Sequence, residues 1–156
     1  VCVLGALLVG GVYGGIGGAI GMTIGDLFNP VYVVYAPKTF ILKFCTGLNV
    51  LALDLRADVG DIDLENCTLE TSTLDANVGD IDLEDCTFTS MEITSNVGDV
   101  DLDCKEDLSD YHIELGTGVG DVNVNDTYCH RSYSNQGDSS HSLTISNDTG
   151  DISLTY

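Results

Sequence analysis

The sequence predicts an all-β protein, a parallel β-solenoid of about five or six coils preceded by an apolar, glycine-rich segment. Three observations predict it. Gly-Asp pairs recur at 60–61, 79–80, 98–99, 120–121 and 150–151, spaced by 19, 19, 22 and 30 residues. Around them apolar and acidic side chains alternate with period two, as in a strand that has one wet face. Residues 1–25 carry no charged side chain, so nearly all of the formal charge of −20 belongs to residues 50–156. The chain therefore divides into an apolar segment at 1–28, a connector at 29–47 and an acidic repeat domain at 48–156.

Nine of the first 25 residues are glycine. As a helix these 25 residues would extend about 37 Å, enough to cross the hydrocarbon core of a bilayer. Gly10, Gly14 and Gly18 are spaced by four, as are Gly17, Gly21 and Gly25. Small residues at that spacing let helix backbones approach closely. Each glycine costs up to about 1 kcal/mol relative to alanine inside a helix, so a simple lipid anchor has no need of so many. These six are the candidate assembly residues. A helix is the expected conformation, with a glycine-rich extended arrangement as the alternative. Asn29-Pro30 ends the segment, and VYVVY at 31–35 reads as a strand in the connector.

The repeat domain opens with a degenerate coil, LNVLALDLRA at 48–57. In VGDIDLE, Ile62 and Leu64 face inward while Asp61, Asp63 and Glu65 face outward, and the next two repeats read the same way. Cys67 and Leu69, Cys86 and Phe88, and Cys104 and Leu108 supply a second inward set. Leu74, Ala76 and Val78, then Ile93 and Val97, then Ile113, Leu115 and Val119, supply a third. Glycine supplies the corner, where φ turns positive. Each coil is expected to stack on the one before it in sequence, and YCHRSYSNQGDSSHS at 128–142 to leave the last turn as a loop.

Stacking would place Asp61, Asp80, Asp99, Asp121 and Asp151 in one outward column, with Asp63, Asp82 and Asp101 in the next. Two carboxylates about 5 Å apart repel by roughly 0.8 kcal/mol even in water, so cations or salt would relieve the columns. Asp61, Asp80, Asp99, Asp63, Asp82 and Asp101 are thus the candidate calcium ligands. The glycine-rich turn pattern of calcium-binding solenoids and the EF-hand loop are both missing, which favours a solvated acidic face with at most weakly held calcium. No other cofactor is implied.

Cys67 and Cys86 each lie seven residues after a corner glycine, and Cys104 six. Neighbouring coils fall within disulfide span, so Cys67–Cys86 or Cys86–Cys104 can form, but not both. Cys104–Cys129 suits the first pairing, leaving Cys2 and Cys45 to pair within or between subunits; buried thiols are the alternative for all of them. Asn66, Asn125 and Asn147 head glycosylation sequons.

The five basic residues among 25 acidic ones exclude a nucleic-acid binder. His112, His130 and His141 match no metal-site spacing, and no nucleophile–base pattern or phosphate loop appears, so no catalytic residue is assigned and no enzyme is expected.

The VGDI/VGDV repeats resemble adhesin-like β-solenoid domains of the auto-transporter adhesin head type, over residues 50–156. That resemblance implies a surface-exposed parallel solenoid and no catalytic residues. Residues 1–28 resemble the N-terminal helix of archaeal type IV pilin-like subunits in being apolar, at the chain start and without an initiating methionine. The leading expectation is a self-assembling subunit of an extracellular filament or pilus. In it the apolar segments bundle, with membrane contact during assembly, and acidic solenoids are exposed at the cell surface. A membrane-anchored adhesin is the alternative, and a calcium-dependent matrix protein a weaker one.

Overall fold

The computed structural model describes residues 31–36, 42–44 and 49–156. The apolar segment, with its six candidate glycines and Cys2, lies outside the described residues, as does Cys45. What is described is all-β, and no helix occurs among the described residues.

The strands are β1 (Val31–Ala36), β2 (Leu42–Phe44), β3 (Asn49–Ala57), β4 (Ile62–Glu65), β5 (Thr68–Val78), β6 (Ile81–Val97) and β7 (Val100–Cys104). They continue as β8 (Tyr111–Val119), β9 (Val122–Val124), β10 (Thr127–Tyr128), β11 (Ser132–Gln136), β12 (Asp138–Thr149) and β13 (Ile152–Thr155). They pair into one curled sheet with two runs that meet at the glycine corners. One run is β1, β3, β5, the second half of β6, β12, β8 and β11. The other is β2, β4, the first half of β6, β7, β13, β9 and β10. Every ladder is parallel except β11 on β8 and β10 on β9, which are antiparallel.

The alternation read from the sequence sets the register. Ile62 lies beside Ile81, Ile81 beside Val100, Val100 beside Ile152, and Ile152 beside Val122. All five are buried, as are Leu64, Leu83, Leu102, Leu154 and Val124 in the column two residues on. Burying such a side chain stabilises by about 1.5–3 kcal/mol relative to leaving it in water, and the repeat supplies many of them.

Three expectations are corrected. The layers do not stack in chain order, because β12 pairs with β6 on one side and β8 on the other. The C-terminal layer thus fills a place that the chain skipped between β7 and β8. Residues 128–142 are not a loop leaving the last turn. Their strands close the end of the ladder, since a terminal layer without a partner would leave a row of N–H and C=O groups exposed. Val78, Val97 and Val119 are not inward: with Val59 they stand exposed, because the period-two pattern breaks just before the corner. Ala76 is inward as expected, and Ser95 and Thr117 hold the matching inward position in their layers.

Candidate functional site

The densest chemistry lies at the glycine corner. Gly60, Gly79, Gly98, Gly120 and Gly150 all hold φ between 132° and 146°, a region that other residues rarely adopt. At Gly79, Gly98, Gly120 and Gly150 a Cβ would also collide with the carbonyl of the glycine on the neighbouring layer. Both facts require glycine.

The aspartate that follows has a matching task. Asp80 N–H donates to Asp61 Oδ1 at 3.1 Å, Asp99 N–H to Asp80 Oδ1 at 2.8 Å, Asp151 N–H to Asp99 Oδ1 at 2.8 Å, and Asp121 N–H to Asp151 Oδ1 at 2.9 Å. Each carboxylate thereby satisfies a corner N–H that the strand ladder does not reach. The glycine N–H is met by the next layer too, as in Gly79 N–H to Val97 O at 2.9 Å. At the last layer Tyr128 Oη donates to Asp121 Oδ1 at 3.0 Å. The sequence expectation of one aspartate column therefore holds, with Asp151 between Asp99 and Asp121. The column stays largely exposed, and it carries a hydrogen-bonding role in addition to its solvation.

The next two columns outward line a shallow, open groove, with Asp63, Asp82 and Asp101 along one side and Glu65, Glu84 and Asp103 along the other. Partial burial, then Asp101 and Asp63, push the Asp82 carboxyl above its ordinary range. Burial first, then Asp99, does the same to Asp101. Among the described residues no group of three or more His, Cys, Asp or Glu is arranged to hold a metal ion. The oxygens form lines rather than a shell around one point, and the corner column already uses its Oδ1 atoms.

Cys67, Cys86 and Cys104 form a buried column, with Cys86 in register with Cys104. Cys129 is elsewhere. It follows β10, and its N–H donates to Val122 O at 2.7 Å. Because β13 lies between β7 and β9, Cys129 is not on the layer next to Cys104, and the expected basis for that bridge is removed.

Of the sequon asparagines, Asn125 is exposed and Asn66 half-buried. Asn147 is 2% exposed, and its Nδ2 donates to Gly98 O at 2.8 Å, so the glycosylation expectation is corrected there. A glycan on that nitrogen would have no room and would break a buried bond. The histidines are dispersed: His112 Nε2 lies 3.4 Å from Glu114 Oε1, His130 packs on Tyr128, and His141 on Tyr111.

Two residues that the spacing did not single out also join or end the layers, at different corners. Lys105 Nζ donates to Asn66 Oδ1 at 2.6 Å and lies 3.2 Å from Asp85 Oδ2, tying three layers at their outer corner. Tyr128 terminates the aspartate column. Neither carries a repeat signal; only its place in the stack reveals its part.

These features define a class: an all-β, β-solenoid-like domain whose repeat builds a corner. The chain belongs to the Toastrack DUF4097 family, whose family model matches residues 44–155. A second model, for the S component of an ECF-type riboflavin transporter, matches residues 1–59. No curated protein and no solved structure matches the chain.

Proposed function

We propose that residues 48–156 form a parallel β-solenoid of about five or six coils, and that the chain is a non-catalytic structural module held at a membrane by its apolar segment and displayed outside the cell. The observation that carries this reading is how the repeat spends its residues. Glycine turns the corner, aspartate bonds the next layer, and Ile, Val and Leu fill the core. The groove left outside is open and mainly acidic, with Ser153 and Thr155 at one end, suited to solvation and spacing rather than to enclosing a substrate. The uncharged 25 residues in front are long enough to span a bilayer as a helix. Neither riboflavin handling nor a membrane setting is carried over from the transporter-component match over residues 1–59.

A second reading is a filament subunit whose apolar segments bundle, favoured by the four-residue spacing of Gly10, Gly14, Gly18 and of Gly17, Gly21, Gly25. One experiment separates the two. In the membrane reading, the full chain floats with vesicles in a density gradient, resists alkaline carbonate extraction and disperses as small particles in detergent. Negative-stain images of helical rods in detergent-free native material, with no flotation, would replace it by the filament.

A further inference from the structure

The cysteine column contains an asymmetry that the corner geometry explains. Glu65 pairs with Glu84 and Thr68 with Thr87, so Asn66 matches Asp85 and Cys67 matches Cys86, one to one. Asn66 and Asp85 share a left-handed backbone, at φ 53° and 58°. Cys67 and Cys86 therefore leave identical turns on adjacent layers, and their side chains are 2% and 0% exposed. Adjacent layers lie about 4.8 Å apart, inside the Cα span that a disulfide requires. Cys104 leaves a different turn. It follows Asp103 with no left-handed residue between, and the register between Glu84 and Cys86 shifts where β7 pairs.

We propose that Cys86, which lies between two possible partners, forms an interlayer disulfide with Cys67, and that Cys104 stays a buried thiol. The thiol contacts agree with the geometry. Cys86 Sγ is turned toward the neighbouring layer, donating to Leu64 O at 3.5 Å as well as to Glu84 O at 3.4 Å, and the adjacent Cys67 is the main cause holding the Cys86 thiol below its ordinary range. Burial pushes Cys104 up to about 12, which keeps it protonated and poorly nucleophilic.

The oxidant is a low-molecular-weight disulfide such as oxidised glutathione. The Cys86 thiolate attacks one of its sulfurs, forming a mixed disulfide and releasing one glutathione thiolate. The Cys67 thiolate then displaces the second. Two electrons pass to glutathione and the two protons that leave the cysteines are taken up by its thiolates or by solvent. The link closes a loop from 67 to 86, tying two layers of the stack covalently.

The test uses the full chain in detergent, unfolded in urea under reduction and refolded in a glutathione buffer, which removes any barrier to reagent entry. Iodoacetamide alkylation in urea without reduction, then digestion and mass spectrometry, should give a Cys67–Cys86 linked peptide and an alkylated Cys104. Cys104→Ser should keep the link and Cys86→Ser lose it, with far-ultraviolet circular dichroism confirming that each variant folds. The oxidised protein should melt several degrees above the reduced one, and dithiothreitol should abolish the difference. A Cys86–Cys104 peptide, or Cys67 and Cys86 both alkylated after refolding in excess oxidised glutathione, overturns the proposal.

Discussion

At the residue scale, the acidic side chains are not equivalent. Asp99 sits at the corner, accepts the Asp151 N–H and passes its own N–H to Asp80. Asp82 stands in the groove, where burial and neighbouring carboxylates disfavour its charge. The alternation in the sequence placed both outside but could not separate their tasks, because the corner bond joins residues 19 or more positions apart and depends on the glycine turn. The difference is measurable. Asp82 has a raised folded pKa, so its contribution is fully present below the ordinary value of 3.8 and is lost as pH rises through the raised one. At pH 7 Asp82→Asn should therefore stabilise the fold by roughly 0.5 kcal/mol, the scale of a solvent-screened charge interaction. The gain should shrink toward zero in acid. Urea unfolding at several pH values checks this, and a gain that persists unchanged at pH 3 refutes the electrostatic cause.

At the scale of elements, the position of β12 and β13 is the least legible part of the fold. Every layer has the same inward pattern, so hydrophobic matching alone lets Ile152 stack on Val122 or on Val100; here it pairs with both. The connections break the tie. Only Asn66 and Cys67 separate β4 from β5, so the chain can move just one layer, whereas residues 105–110 separate β7 from β8. Six residues reach across two layer spacings, about 10 Å. That longer link was visible in the sequence as the stretch from 19 to 22 between glycines, although its direction was not. The consequence is that the chain's last strands are internal rather than frayed. Ile145 is 2% exposed and Ile93, its partner in register, 0%. Ile145→Ala should then cost 2–5 kcal/mol, about as much as Ile93→Ala. Parallel denaturation curves test the equality; a cost below about 1 kcal/mol for Ile145→Ala, typical of a loose terminus, would show that the inserted layer is not integral.

At the scale of the whole molecule, the same stacking that fills the core also aligns the charge. Against 25 acidic residues stand five basic ones; among the described residues Lys105 ties layers together, and Arg56 meets Asp54 locally at 3.2 Å. A stacked parallel ladder cannot move its carboxylates apart without giving up register, since each column repeats at the strand spacing. Stability must then depend on the ions around it. The Debye length falls from about 30 Å at 0.01 M to about 3 Å at 1 M salt, shorter than the distance between layers. Thermal unfolding followed by circular dichroism should accordingly show a midpoint that rises steadily over that range. Because the corner oxygens are engaged and the groove oxygens lie in lines, calcium should act chiefly as a stronger screen. Its effect should grow without saturating through the millimolar range, and sodium chloride should reproduce it at sufficiently high ionic strength. A saturating rise at micromolar calcium that sodium cannot reproduce would require the columns to converge on the ion, and would return the groove to the class of specific metal sites.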